Sequence, residues 1–338
     1  MKNQIDKVFN NITKSKYIHE AILLVENTSG SFREELGYKR NADSPIFTAS
    51  VGKLFVTACI LIFKEQGKLK LCDKLSNYFN DKTLEGLHVF KGRDYSFDLT
   101  LSDLLFHKSG LTCWYQTGGV FQRIVNEDFE FSFEEQIAST KNRPALFAPD
   151  GKKAYYSDMN FGLLGKVLEQ IEGKSIDKIY EKYIIKPLKL KKTFLINQED
   201  LAIPIYFGNK KMKRPKFLGS HGEQSIITTA DELMTFIKAF FLGMLFDQKV
   251  FEELSIYTSM QSSMFPMRSG GGFWQIPLGG LANLFMGEGE LLGHSGSTGS
   301  FAFYYPQKDL FMTGDFNQAY KPSYPIKVVI KIANLKSD

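Results

Sequence analysis

Ser50 and Lys53 are the two residues of this sequence whose types and spacing first suggest chemistry. They stand three positions apart, immediately before the apolar segment Leu54–Phe63. On a helix this spacing places both side chains on one face, with Cβ atoms about 5–6 Å apart. Burial disfavours the charge of an ammonium group, and the N–H groups at the start of a helix stabilise a developing anion. The pair is therefore a candidate serine nucleophile with an adjacent lysine.

The Ser-x-x-Lys spacing does not by itself establish catalysis. Ser175 and Lys178 show the same spacing in a polar segment that we expect at the surface. For Ser50 and Lys53 the alternative interpretation is a serine at the start of a helix beside a solvated lysine. Other candidate groups must decide between the two interpretations.

Tyr156 and Asp158 are further candidate groups, on a loop that follows the turn residues 149–151. A phenol can exchange protons with a nucleophile, and a carboxylate two residues further on can orient a lysine. The alternative is a packed tyrosine with an aspartate that caps a helix. Residues 78–80, Tyr-Phe-Asn, form a similar tripeptide, so this pattern is also weak alone.

Residues 293–300, Gly-His-Ser-Gly-Ser-Thr-Gly-Ser, form the third candidate segment and lie on a predicted strand. Small side chains let a substrate backbone approach closely, and an unpaired N–H at a strand edge can join an oxyanion hole. The alternative interpretation of this segment is a glycine-rich turn.

Hydrophobic periodicity predicts the elements that hold these segments. Helices are expected at residues 5–12, 54–63, 132–138, 161–172, 175–183, 229–242 and 324–335, and in a short segment capped by Thr100 or Ser102. Strands are expected at residues 21–26, 31–38, 273–276, 291–295, 299–305 and 310–315. The basic residues 210–216 are predicted to form a loop, and their lysines, like those of residues 186–192, are expected on a solvated face or a mobile loop.

Strands at both chain ends with helices between them indicate an α+β fold. We expect one antiparallel sheet built from both ends of the chain with flanking helices, and an inserted, mainly helical domain. The predicted sheet domain comprises residues 1–68 and 217–338, and the predicted helical domain comprises residues 69–216. The active site is expected in the cleft between these two domains.

The composition narrows the classes of function. The 338 residues carry a formal net charge of +5 and 23% charged residues, as in soluble globular proteins. The basic segments 186–192 and 210–216 lack a recognition motif or stacking aromatic residues, so no nucleic-acid partner is expected. No apolar run is long enough to span a bilayer. No signal peptide is visible, so we expect a cytoplasmic protein, although a trimmed exported protein would look the same.

The sequence offers no metal site, and no cofactor is expected. The five histidines stand apart, without the His-x-x-x-His or Cys-x-x-Cys spacing that zinc sites use. His107 is accordingly expected to be structural. The three cysteines cannot all pair, and Cys59 is expected in the core.

Taken together, the three motifs resemble those of the serine penicillin-recognising hydrolases: class C β-lactamases, D-Ala-D-Ala carboxypeptidases, D-aminopeptidases and related esterases. Ser50-Val51-Gly52-Lys53 matches the first motif of that family, and Tyr156-Ser157-Asp158 matches its Tyr-x-Asn motif in an Asp variant. His294-Ser295-Gly296 takes the place of Lys-Thr-Gly. The order and spacing of the motifs, with supporting segments along most of the chain, make the match strong. The resemblance implies a β-lactamase/transpeptidase-like fold.

The resemblance also implies an acyl-enzyme mechanism. The catalytic residues would be Ser50, Lys53 and Tyr156, and the substrate-binding residues would be Asp158, His294, Ser295, Gly296 and Ser297. Ser50 would attack a carbonyl while Lys53 and Tyr156 handle its proton, and either of the two remains open as the acylation base. The backbone N–H groups of Ser50 and Ser297 would hold the oxyanion. Asp158 would bind Lys53 or the substrate amide, and Tyr156 would activate water for deacylation.

Two departures from the family pattern bear on the substrate. His294 replaces a permanent cation and is mostly neutral at pH 7 when its pKa is unperturbed. Asp158 replaces the commoner asparagine, and its negative charge disfavours anionic substrates. Both changes favour small esters, amides or D-amino-acid peptides as substrates.

Two alternatives remain open. One is a β-lactamase or DD-carboxypeptidase that acts on β-lactams or peptidoglycan stem peptides. The other is a non-catalytic relative that binds ligands of the penicillin-binding type. A small molecule or short peptide is the expected partner in each case, and the sequence leaves the natural substrate and the oligomeric state open.

Overall fold

The computed structural model describes residues 1–116, 119–196, 203–220, 222–279 and 287–335. The helices of this part are α1 (Lys2–Thr13), α2 (Lys53–Glu65), α3 (Asp81–Leu84), α4 (Leu101–Leu105), α5 (Val120–Asn126), α6 (Phe133–Lys141), α7 (Asp158–Glu172), α8 (Ile176–Tyr180), α9 (Pro215–Gly219), α10 (Ala230–Phe241), α11 (Val250–Leu254) and α12 (Tyr324–Ala333). Short 3₁₀ turns at Ala49–Gly52 and Gly222–Gln224 flank the candidate site.

The strands of the described part fall into one large sheet and several short pairings. They are β1 (Ala21–Glu26), β2 (Arg33–Tyr38), β3 (Ile46–Phe47), β4 (Val89–Phe90), β5 (Arg93–Asp94), β6 (Phe194–Leu195), β7 (Ile205–Phe207), β8 (Lys210–Met212), β9 (Ile226–Thr228), β10 (Thr258–Ser259), β11 (Arg268–Ser269), β12 (Trp274–Pro277), β13 (Glu290–Ser295), β14 (Ser300–Tyr305) and β15 (Leu310–Asp315). The eight-stranded sheet has the order β10-β11-β12-β13-β14-β15-β1-β2, and its neighbouring strands are antiparallel.

The large sheet joins the two ends of the chain, as the sequence predicts. Strand β1 pairs with β15 in a register that places Leu24 opposite Thr313. Successive side chains of a strand point to opposite faces, so both faces of β1 must be covered because its core residues are all apolar. Leu23 and Val25 pack in a cluster with α1 and α12, and Ile22 and Leu24 belong to the cluster that contains α2 and α10.

Helix α2 lies inside the larger of these clusters, and each of its residues from Lys53 to Phe63 is buried. Phe55 stacks on Phe236 of α10 with ring centroids 3.8 Å apart. Gly67 follows the helix with φ of +69°, a left-handed conformation in which a glycine ends a helix without strain. The predicted buried helix is confirmed, and Ser50 lies in the 3₁₀ turn that leads into it.

The chain between α2 and β9 is mainly helical in its described part, and its strands are two or three residues long. The larger apolar cluster extends from α2 into this region through residues such as Leu104, Ile137 and Phe161. The proposed boundaries after residues 68 and 216 therefore stay a prediction. Among the described residues, no helix combines the length and the apolar character that crossing a membrane requires.

The prediction of a loop at residues 210–216 was wrong, whereas the expected exposure of its lysines to solvent is confirmed. Lys210–Met212 pairs with Ile205–Phe207, and Pro215 begins helix α9. Met212 and Arg214 are buried, while the lysines of the segment are exposed. Lysine-rich composition conceals this alternation of exposed and buried positions, which is why the pattern was misinterpreted.

Candidate active site

The hydroxyl of Ser50 is the meeting point of two other candidate side chains. Tyr156 donates a hydrogen bond from Oη to Ser50 Oγ at 2.8 Å, and Lys53 Nζ lies 3.4 Å from the same oxygen. Ser50 is half-buried, and Lys53 has no exposed surface. The structure thus places a serine hydroxyl, a phenol and an amine in contact.

The turn that carries Ser50 has an unusual backbone. Ala49 adopts φ of +46°, in the left-handed region that residues with a Cβ seldom occupy. Such strain persists only where the surroundings fix the conformation. Ser300 donates a hydrogen bond to Thr48 O at 2.6 Å, and Gly296 packs so closely that an added Cβ would lie 2.6 Å from that same oxygen. The segment after β13 therefore fixes the turn of the nucleophile.

Lys53 is held by three acceptors. Its Nζ lies 2.5 Å from Asp158 Oδ1 and also donates to Gln224 Oε1 and to Ser50 Oγ. Gln224 ends the 3₁₀ turn before β9 and is itself buried. Sequence reasoning did not identify Gln224, because no motif or spacing connects this turn with the nucleophile.

Asp158 is the counterion of Lys53. Burial would raise the pKa of its carboxyl group, but the Lys53 ammonium and hydrogen bonds outweigh burial and hold the pKa below its ordinary value. One of these hydrogen bonds comes from the Cys113 thiol, with Sγ 3.2 Å from Oδ2. The carboxylate is therefore ionised at neutral pH, and it neutralises the charge of Lys53.

Tyr156 is a neutral phenol in this environment. Burial raises its pKa well above the ordinary value, the negative charge of Asp158 raises it further, and the hydrogen bond with Ser50 opposes both effects only in part. The loop of Tyr156 is fixed by Gln261, whose Oε1 accepts a hydrogen bond from the Tyr156 N–H at 3.1 Å. Gln261 is a second residue that sequence reasoning missed.

His107 contacts the backbone of the same loop, in agreement with its expected structural role. Its Nδ1 accepts a hydrogen bond from the Ser157 N–H at 3.2 Å, and its ring lies 4.8 Å from that of Tyr156. Burial, with the nearby Lys53 charge, lowers the pKa of His107 to about 3. The ring is therefore neutral and acts as a hydrogen-bond acceptor for the backbone.

The side chain of His294 is buried next to the candidate site. Its ring stacks on Trp274 with centroids 3.9 Å apart, and 1% of the residue is exposed. Burial lowers its pKa well below the ordinary value. Nδ1 lies 2.9 Å from Ser295 O, and because a carbonyl only accepts, Nδ1 carries the proton of the neutral ring. The expected contact of His294 with substrate stays a prediction.

A cavity of about 550 Å³ opens beside Ser50. Tyr156 and Asp158 line it, and so do Ser295, Gly296 and Ser297, whereas His294 does not belong to its described lining. Within the described part of the chain, the backbone N–H groups of Ser50 and Ser297 donate no hydrogen bond. The cavity thus holds the nucleophile together with two unused donors.

The two similar motifs elsewhere lie outside this cavity. Ser175 precedes helix α8, and Lys178 forms an ion pair with Asp177 at 3.3 Å, with both side chains largely exposed. Tyr78 donates a hydrogen bond to Asp73 at 2.9 Å. No group of His, Cys, Asp and Glu residues in the described ranges is arranged to hold a metal ion.

Comparison with known proteins identifies similar sequences over part of the chain. A family model described as Beta-lactamase matches residues 21–333. The D-alanyl-D-alanine-carboxypeptidase/endopeptidase AmpH of Escherichia coli (strain K12) is 31% identical over 166 residues, which are 48% of this chain and 40% of that protein. The teichoic acid D-alanine hydrolase of Staphylococcus aureus is 25% identical over 207 residues, 58% of this chain and 47% of that protein. The matches thus span less than half the length of these two curated relatives.

Solved structures resemble the whole chain. A D-stereospecific amidohydrolase from Streptomyces sp. has a TM-score of 0.79 at 20% identity, with 100% of both chains covered. The D-amino acid amidase from Ochrobactrum anthropi SV3 has a TM-score of 0.78 at 17% identity, with 98% of both chains covered. These similarities confirm the predicted fold.

Proposed function

Because the chain belongs to the beta-lactamase family, we propose that it is a serine hydrolase that forms an acyl-enzyme at Ser50 on small esters, amides or D-amino-acid peptides. The observation that carries the proposal is the contact of Ser50 Oγ with Tyr156 Oη at 2.8 Å and with Lys53 Nζ at 3.4 Å. A serine hydroxyl becomes an effective nucleophile when an adjacent group can take its proton. Asp158, which contacts Lys53, and the small residues 295–297 complete the proposed site.

The protonation states favour Tyr156 as a proton relay. A neutral phenol cannot keep a second proton, but it can receive the Ser50 proton while it passes its own proton to the leaving group. The Ser50 oxygen first forms a bond to the acyl carbon, whose carbonyl oxygen becomes the oxyanion of a tetrahedral intermediate. The bond to the leaving group then breaks, and the leaving group departs with the proton that Tyr156 has passed to it. Lys53 remains an ammonium paired with Asp158 and orients Ser50. In deacylation the same relay runs in reverse, with water in place of the leaving group.

The oxyanion of the tetrahedral intermediate is assigned to the N–H groups of Ser50 and Ser297. Preorganised donors of this kind contribute about 2.7–4 kcal/mol each to catalysis in other enzymes. Their lack of other acceptors in the described part of the chain supports this assignment.

The substrate class rests on the charges of the site. Neutral His294 and ionised Asp158 provide no cation for a substrate carboxylate, which supports neutral esters and amides over penicillin-like acids. Two solved structures of similar fold are named a D-stereospecific amidohydrolase and a D-amino acid amidase. These names support D-amino-acid derivatives as candidate substrates.

Active-site labelling tests the proposal. A fluorophosphonate or a fluorescent penicillin should label the native protein and the Ser175→Ala variant, whose serine has the same spacing to a lysine. The Ser50→Ala variant should remain unlabelled. Equal labelling of Ser50→Ala and the native protein would contradict an acyl-enzyme at Ser50.

A further inference from the structure

We infer that the substrate carries a large apolar group, which the cavity beside Ser50 binds during the reaction. The inference rests on the proposed hydrolase function and narrows its substrate class. A cavity of about 550 Å³ is far larger than an acetyl or alanyl group needs, and pockets of about 300–1,000 Å³ accommodate drug-sized ligands. The chemical nature of the residues that line the cavity therefore determines which substrate group it can bind.

One wall of the cavity is aromatic and aliphatic. Phe121 on α5 lies against Tyr115 and Phe207, with ring centroids 5.8 Å and 5.7 Å apart. Ile124 and Phe217 extend this wall. Side chains that pack on each other in this way hold an open apolar surface in place, because their own contacts prevent them from collapsing into the cavity.

The opposite wall is formed by residues 263–267 and Trp274. Phe265 is 67% exposed although it lines the cavity, and Met264 and Met267 flank it. A single exposed phenylalanine is ordinary, but Phe265 stands beside Met264 and Met267, so the lining is apolar over several adjacent residues. Methionine also adapts its shape to apolar ligands of different outline.

Two of the three charged residues in the described lining are paired with other groups of the protein. The three residues are Asp158, Arg214 and Lys327. Asp158 is paired with Lys53. Arg214 donates to the carbonyl groups of Ile124 and Val125.

Arg214 thus caps the last turn of α5, where unsatisfied carbonyls and the helix dipole favour a cation. Its third nitrogen, Nη1, donates to Lys213 O at 2.8 Å. Lys327 is exposed on α12. Away from Lys327, the described lining therefore offers mainly apolar contact.

A series of p-nitrophenyl esters from acetate through butyrate and hexanoate to octanoate tests the inference. Burial of each methylene contributes about 0.8 kcal/mol, so kcat/KM should rise roughly threefold to fourfold per methylene until the cavity is filled. The matched series of alkyl acetates shows whether the apolar group is instead accepted on the alcohol side.

Variants that narrow the cavity provide the second measurement. Met264→Trp and, in case that variant is unstable, Leu218→Trp should lower the ratio of kcat/KM for octanoate to kcat/KM for acetate tenfold or more. Met244→Trp is the matched control, because Met244 is 65% exposed and lies outside the cavity lining. It should change neither rate.

The outcomes separate this inference from the proposed function. Hydrolysis of acetate through Ser50 with no gain for longer acyl or alkyl chains would overturn the inference alone. Absence of both ester hydrolysis and Ser50 labelling would overturn the proposed function and the inference with it. A rise with chain length that the narrowing variants abolish would support both.

Discussion

Lys53 Nζ and Asp158 Oδ1 lie 2.5 Å apart, and their side chains are 0% and 9% exposed. A buried ion pair of this kind contributes little net stability to the fold. Loss of one partner, however, leaves an unpaired buried charge that costs about 3–5 kcal/mol. The pair also sets the electrostatics of the site, because the carboxylate acts on the Tyr156 phenol as well as on Lys53.

Replacement of Asp158 by asparagine should therefore lower the pKa of Tyr156. Burial is the main cause of the raised pKa of Tyr156 and remains in the variant, whereas the negative charge of Asp158, which raises this pKa further, is removed. We expect the alkaline limb of the pH profile of kcat/KM to move to lower pH. We also expect the free energy of unfolding to fall by about 3–5 kcal/mol, because Lys53 loses its counterion.

The control for this variant is Asp73→Asn. Asp73 accepts a hydrogen bond from Tyr78 and raises the pKa of that phenol, outside the cavity. The pH profile of the Asp73→Asn variant should match that of the native protein. An unchanged profile in Asp158→Asn would show that Asp158 does not control the protonation of the catalytic tyrosine.

Removal of the Tyr156 hydroxyl tests the proton relay. In the Tyr156→Phe variant the ring can still pack against His107 and Trp274. The phenylalanine, however, has no hydroxyl that could exchange a proton with Ser50. The rate of acylation by a fluorophosphonate or an ester should fall about a hundredfold to ten-thousandfold, the range of general acid–base catalysis. Stopped-flow measurement of the first turnover gives this rate.

Tyr78→Phe is the matched substitution, since Tyr78 also donates to a carboxylate but contacts no nucleophile. Native acylation rates in both variants would exclude Tyr156 from proton transfer and leave the proton to Lys53.

The acid sensitivity of the fold should reflect His107 and His294. Burial lowers the pKa of both rings, so the unfolded chain binds protons below about pH 6.5 that the folded chain excludes. The free energy of unfolding should therefore fall as the pH decreases from 6.5, by about 1.4 kcal/mol per pH unit for each ring. Asp158 adds to the loss only below its unfolded pKa of about 3.9, because its folded pKa is lowered.

Urea unfolding between pH 7 and pH 5 checks this expectation. The His294→Gln variant should show a shallower dependence on pH than the native protein. Equal slopes in the native protein and His294→Gln would contradict a neutral, buried ring at this position.

The local parts of this structure could be predicted from the sequence. The apolar run after Lys53 indicated a buried helix, and short, mainly apolar segments at both ends indicated the strands of the large sheet, because these patterns act over a few residues. The contact of Ser50 with Lys53 follows from the same short spacing. The candidate site as a whole, with Tyr156 some hundred positions away, was accessible only through the resemblance of ordered motifs.

The remaining features depend on how distant segments pack. Gln224 reaches Lys53 from a turn that carries no motif, and Gln261 reaches the Tyr156 loop in the same way. His294 lies on a strand whose periodicity assigns alternate faces but cannot say which face lines the cavity. Arg214 is buried because it donates to a carbonyl at the end of helix α5. The periodicity of residues 210–216 alone does not reveal this contact.

The choice of substrate can be tested by comparing three chromogenic compounds. The native protein should hydrolyse p-nitrophenyl acetate and D-Ala-p-nitroanilide faster than nitrocefin, since the carboxylate of nitrocefin meets ionised Asp158, and the Lys53 ammonium beside Ser50 is already paired with Asp158. The His294→Lys variant should turn over nitrocefin faster than the native protein if the position beside Trp274 accommodates the new lysine ammonium. Faster turnover of nitrocefin than of the other two compounds in the native protein would reverse this order and assign the site to β-lactams.

Close packing beneath the nucleophile provides the last test. An added Cβ at Gly296 would lie 2.2 Å from Ser300 Oγ and 2.6 Å from Thr48 O, two atoms joined by the hydrogen bond that fixes the Ser50 turn. Gly296→Ala should therefore lower both the melting temperature and the labelling rate of Ser50. Gly162→Ala, whose nearest contact would be an ordinary 3.5 Å, should preserve both. Native labelling in Gly296→Ala would show that the segment after β13 does not control the geometry of Ser50.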